Sequence, residues 1–143
     1  HLPDTQRRNI PHIVSNLRNY EESGKRLFWL EGISDEFLDK VYATATCLIA
    51  ASEGEGFGLP LIEAAQHKIP IIARDILIFR EVAGEHAFYF KGGEPTDLVD
   101  AIKDWLALYR DNCHPKSDNL PWLTWEKNTG ILKNILLESF KCH

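Results

Sequence analysis

Two carboxylates, Glu55 and Glu63, bracket the run Gly56-Phe57-Gly58-Leu59-Pro60-Leu61-Ile62, with Ser52-Glu53-Gly54 just ahead of it. Carboxylates accept hydrogen bonds from hydroxyl groups. Glycines at 54, 56 and 58 let a ligand approach the backbone and permit φ > 0. The elements that must hold these residues can be read on either side. Cys47-Leu48-Ile49-Ala50-Ala51 is a short apolar run closed by a glycine turn, which predicts a buried strand. Pro60 opens a segment with apolar residues at Leu61, Ala64 and Ala65, which predicts a helix to about His67, and proline suits a first helical turn. Strand, glycine loop and helix N-terminus together present free N–H groups and a partial positive charge, an arrangement suited to phosphate. Phosphate donors flanked by hydroxyl acceptors describe a site for a sugar phosphate or a nucleotide sugar. The plainer reading is a tight turn, with Glu63 complementing the helix dipole.

The remaining composition narrows the class. The 143 residues fit one domain, expected over 1–143, with 44% hydrophobic and 26% charged residues, ordinary for a globular protein. A net charge of −5 argues against a nucleic-acid partner, which calls for a basic patch. No run reaches the ~18 apolar residues of a membrane span, and no signal peptide is visible. Cys47, Cys113 and Cys142 form neither a metal-binding cluster nor a disulfide framework. A reducing, cytoplasmic setting fits.

Taken in order, Ile13, Val14, Leu17 and Tyr20 have helical spacing, predicting a helix from about Pro11 to Glu22 stopped near Gly24. Arg7, Arg8 and Arg18 are candidate phosphate ligands, read more simply as solvated surface. Leu27-Phe28-Trp29-Leu30 is expected as a strand broken at Gly32. Ser34 or Asp35 caps a helix to about Ala45 that buries Phe37, Leu38, Val41, Tyr42 and Ala45. His67 and Lys68 suit the last turn of the helix after the glycine loop. Ile69 to Ala73 is a continuous apolar strand of the kind buried on both faces. Phe79 to Ala83 is a short helix closed at Gly84, and Ala87 to Phe90 a further strand. Thr96 is a candidate cap for a helix carrying Leu98, Val99, Ile102, Trp105, Leu106 and Leu108. Residues 111–121 read as a surface loop. A C-terminal helix, within 121–143, carries Trp125, Ile131, Leu132, Ile135 and Leu136 on one face, and Trp122 and Trp125 are expected to pack as core. Strands alternating with helices predict an α/β fold with a Rossmann-like parallel sheet flanked by helices, binding ligands at the carboxyl ends of its strands.

The spacing Glu55-x7-Glu63 around Gly-Phe-Gly-Leu-Pro-Leu-Ile resembles the E-x7-E motif of retaining glycosyltransferases of the GT-B fold, in particular glycosyltransferase family 4 (group 1). Arg26 to Leu38 resembles that family's strand, glycine turn and Asp-Glu helix start. Ile69 to Asp75 and Arg80-Glu81-Val82-Ala83-Gly84 resemble its next strand and turn, with Arg80 where the family often has proline. The likeness covers roughly residues 26–140.

That resemblance implies one half of a two-domain enzyme, the nucleotide-sugar donor-binding C-terminal domain. By position it makes Glu55 the catalytic glutamate beside the donor sugar, and Gly56, Phe57, Gly58 and Leu59 the segment holding sugar and phosphate. Glu63 becomes the ribose acceptor, and Gly32, Ile33 and Ser34 the loop that meets the base. The reaction that the resemblance implies is retaining transfer of a hexose from a nucleotide-sugar donor, GDP-mannose or a UDP-sugar, to a glycan or lipid-linked acceptor in polysaccharide biosynthesis, with no metal and no cofactor expected. The acceptor would be met through an N-terminal domain outside this chain, which leaves room for peripheral membrane contact in the full-length protein, and the 143 residues alone are expected to be inactive. The alternatives are a non-catalytic nucleotide-binding module or another GT-B protein, such as a glycogen-type synthase or a nucleotide-sugar epimerase.

Overall fold

The computed structural model describes residues 12–122 and 125–139. The chain divides after Asp39 into two compact units.

The first unit holds helix α1 (12–18), which is shorter than the periodicity suggests. Beyond it the Glu22 carbonyl accepts from the backbone N–H of Lys25, Arg26 and Leu27, so the chain turns tightly instead of continuing as helix. The expected strand at 27–30 does not form. Leu27 makes a single bridge to Ser23, and Phe28, Trp29 and Leu30 are exposed without regular structure. A strand is held by a partner's ladder, and within this unit the described residues offer none. Arg18 pairs with Glu31 at 2.5 Å on the surface, which accounts for its charge; Arg7 and Arg8 lie outside the described residues.

Helix α2 (Asp35–Thr44) starts where Asp35-Glu36 and the Ser34 hydroxyl, accepting from the Phe37 N–H at 3.3 Å, complement its free N–H groups. It buries no residue fully. Phe37 and Ala45 are exposed, and Leu38, Val41 and Tyr42 are half-buried.

The second unit is a three-stranded parallel sheet in the order β1 (Leu48–Ala50), β2 (Ile71–Arg74), β3 (Phe88–Phe90). Leu48 pairs with Ile71 and Ala50 with Ala73, while Ile72 pairs with Phe88 and Arg74 with Phe90. The central strand is apolar on both faces because both are covered. On one face Ile71 and Ala73 meet α3 (Leu59–Gln66) and α4 (Leu77–Ala83) through Leu61, Ala64, Ala65, Phe79 and Ala83. On the other, Ile72 and Phe90 meet α5 (Pro95–Arg110) through Ala101 and Trp105. The α/β class with a parallel sheet flanked by helices is therefore the observed one.

Helix α5 begins two residues earlier than a Thr96 cap would allow. Glu94 is the N-cap, and its side chain and that of Asp97 cap each other's backbone N–H reciprocally behind Pro95. The 111–121 segment is a loop, yet it seals the core with Leu120 and with buried Ser117, whose hydroxyl donates to the Ile69 carbonyl at 2.8 Å. Helix α6 (Trp125–Ser139) forms as expected, but Ile131, Leu132, Ile135 and Leu136 are exposed rather than packed. Trp122 is 39% exposed, so it is not core, and the Trp125 side chain lies outside the described residues. Cys47 is half-buried, and burial pushes its thiol pKa up, as for a small packing residue.

Candidate functional site: a glycine loop at the carboxyl end of the sheet

β1 ends at Ala50 and the chain leaves the sheet through 51–58 to enter α3. Gly58 is the N-cap residue, at φ 65° and ψ 29°, with no side-chain cap. A Cβ there would sit 3.4 Å from Val82 Cγ2 and 3.5 Å from Phe79 Cδ1, so the turn lies directly against α4. A Cβ at those distances would make ordinary contacts, so it is the left-handed backbone that calls for glycine. Pro60 lies in the first turn, where its missing N–H costs no intrahelical bond. Gly58 offers no side-chain cap to the first N–H groups of α3, and uncapped N–H groups with the helix dipole behind them give the electrostatics of an anion site.

The sequence-predicted residues fall around this loop. Glu55 is exposed, and its Oε1 accepts from the Ser52 hydroxyl at 3.1 Å, which tethers the carboxylate across the loop. Gly56 is exposed, as are Phe57 at 75% and Leu59 at 51%. Glu63 sits half-buried about one turn into α3, and its Oε2 accepts from the Tyr42 hydroxyl at 2.8 Å. Its Oε1 has no partner among the described residues, so one oxygen is held and the other is available to a hydroxyl. Tyr42 is half-buried, and burial together with the neighbouring Glu63 carboxylate drives its pKa well above the ordinary tyrosine value, so it remains a donor. Gly32, Ile33 and Ser34 lie in the other unit, in the turn that precedes α2.

An open cleft of about 320 Å³ runs beside Glu55, lined by Glu53, Gly54, Ile76, Leu77, Ile78 and Glu81. Leu77 is 85% exposed. A larger cavity of about 730 Å³ lies at the opposite, amino-terminal end of the strands, with Tyr42, His67, Lys68, His114 and Lys116 in its wall. The residues that follow α3 and α5 reach it, and there Lys116 donates to the Asn112 side chain. His67 is the C-cap of α3 and stacks on Tyr42 at 5.4 Å between ring centroids. These are structural roles, and the glycine loop is at the other end of the strands. Among the described residues no group of three His, Cys, Asp or Glu is placed to hold a metal ion.

Sequence reasoning missed three supporting residues. Tyr42 orients Glu63, Ser52 tethers Glu55, and Arg74 donates from Nε to the Ala51 carbonyl at 3.0 Å and from Nη1 to the Gly92 carbonyl. The signal for Tyr42 was present: a tyrosine on a packed helix face needs a partner for its hydroxyl. Arg74 ends an apolar strand, and only the fold brings the Ala51 and Gly92 carbonyls to it.

Fold and loop thus define a parallel α/β domain with a strand–glycine loop–helix ligand site. The model of the family "Glycosyl transferases group 1" matches residues 14–119, and the chain belongs to that family. It is 54% identical over 128 residues to the serotype-specific mannosyltransferase WbdA of Escherichia coli, covering 89% of this chain and 16% of that protein. It is 33% identical over 112 residues to the O-antigen chain mannosyltransferase B of Escherichia coli, covering 71% of this chain and 28% of that protein. The chain thus spans about a sixth of WbdA's length. A solved structure of the GtfA/B complex aligns with a TM-score of 0.46 and 24% identity over 74% of this chain and 20% of that one.

Proposed function

We propose that this chain forms the nucleotide-sugar donor site of a retaining mannosyltransferase that extends a surface polysaccharide. The observation that carries the reading is the pair Glu55 and Glu63 on one glycine loop and its helix, at the carboxyl end of a parallel sheet. The names of the relatives support mannose as the sugar. In this reading the N–H groups of Gly56 to Leu59 meet the diphosphate and sugar, and Glu63 Oε1 accepts from a ribose hydroxyl while Tyr42 holds its other oxygen. Glu55 stands beside the sugar, where positive charge develops as the bond between C1 and the phosphate oxygen breaks. A carboxylate there binds the transition state more tightly than the ground state, which is what accelerates the step. The diphosphate leaves toward the helix N-terminus, whose dipole stabilises its charge. The acceptor is a glycan or lipid-linked sugar met through a second domain, so this chain alone does not transfer sugar.

Titration with GDP, UDP and ADP, followed at the backbone amides of Gly56 to Leu59 by NMR, tests the reading. Shifts centred on these amides are expected, and shifts confined to residues elsewhere sink it. Sugar transfer by the 143-residue chain itself would overturn the need for a second domain.

A further inference from the structure

We propose that Arg74 is the positioning residue of the donor site, a planar cation that ties the exits of all three strands together and so fixes the loop carrying Glu55. The proposal rests on the donor-site reading above. Arg74 is the last residue of the central strand. Its Nε–H donates to the carbonyl of Ala51, the first residue after β1, at 3.0 Å, and its Nη1 donates to the carbonyl of Gly92, just past β3. The face of the guanidinium packs on the Phe90 ring, 5.1 Å from its centroid, which sets the plane in which the donors point.

Both acceptors are themselves fixed. Ala51 follows β1 directly, and the next residue, Ser52, donates its hydroxyl to Glu55 Oε1 at 3.1 Å. The restraint therefore passes from Arg74 through the Ala51–Ser52 peptide to the Glu55 carboxylate. Gly92 has φ 102°, and a Cβ there would overlap the Asp97 carboxylate, which is occupied in capping the Glu94 N–H at 2.9 Å. The Gly92 carbonyl is thus aimed by the start of α5. A fork of donors in one plane reaches two carbonyls on opposite sides of a strand at once, whereas a lysine ammonium on a flexible stem is a point donor. The tie stands at the ligand-binding end of the sheet, where a loop displaced by about 1 Å costs far more in binding or rate than in stability.

The test compares wild type with Arg74→Lys and Arg74→Met at a temperature where each is folded, as judged by slow amide exchange at Ile71 to Ala73. Both variants are expected to lose exchange protection and shift amides over 52–58 without ligand, and to bind GDP about tenfold more weakly. A purely structural arginine would instead lower the melting temperature and leave affinity unchanged, which overturns the proposal, as does an Arg74→Lys variant that binds like wild type. If either variant fails to fold, the wild-type Arg74 Nε–H decides: slow exchange with water supports the tie and rapid exchange refutes it. Wild type that does not bind GDP, UDP or ADP at Gly56 to Leu59 sinks the donor-site reading and this proposal with it; wild-type binding with unaltered variants sinks the proposal alone.

Discussion

The Tyr42 hydroxyl donates to Glu63 Oε2 at 2.8 Å, joining α2 to α3. The bond holds one carboxylate oxygen and leaves the other to a ligand. Glu63→Gln is expected to weaken nucleoside diphosphate binding roughly ten- to a hundredfold, the range for losing a charged hydrogen bond. Tyr42→Phe should cost only a few-fold, because it frees the carboxylate without removing it. Calorimetric titration checks both, and a Tyr42→Phe effect as large as that of Glu63→Gln would contradict the division of roles.

Glu55 should fail differently. Under the proposed function, Glu55→Gln in the full-length protein is expected to lower kcat more than it weakens donor binding, since the proposed contact with the sugar would strengthen as positive charge develops. Single-turnover rates with saturating donor separate the two effects. An unchanged kcat would remove Glu55 from the reacting centre.

Gly58 and Gly92 are the glycines whose replacement should be felt most. Gly58→Ala places a methyl at φ 65° against Val82 and Phe79, and Gly92→Ala places one at φ 102° against Asp97. Each should cost about 1–3 kcal/mol in stability, measured by denaturant unfolding. Alanine at Gly54, where nothing lies within 4 Å and φ is not left-handed, should be nearly silent.

His114 predicts an acid-sensitive loop. It is buried against Trp105 and Tyr109, its Nε2 faces Lys116 Nζ at 3.2 Å, and its Nδ1 is buried without a partner. Burial first, and then the Lys116 charge, hold its pKa below the ordinary 6.5, with Asp118 opposing. The unfolded chain therefore takes up a proton near that value while the folded chain resists. Stability is full above about pH 6.5 and falls as pH drops through the depressed folded value. Melting temperatures at pH 7.5 and 5 should differ less in His114→Gln than in wild type, and equal pH dependence would refute the assignment.

The local patterns carried much of this protein. Apolar runs at 47–51 and 69–73, the glycines before Pro60 and the helical spacing of α3 and α5 were enough for the α/β class, the strand–loop–helix unit and the positions of Glu55 and Glu63, because each rests on near-neighbour backbone preferences. Leu27 to Leu30 shows where such patterns stop. The run is apolar enough for a strand, but a strand exists only through a ladder, and the first unit provides none. The α6 face is likewise amphipathic in sequence and exposed in space, since periodicity states that a face is apolar and not what covers it. Tyr42 on Glu63 and Arg74 between Ala51 and Gly92 span 21, 23 and 18 residues of sequence. Those contacts depend on Tyr42 lying against α3 and on the parallel register of three strands, and only the tertiary structure decided them.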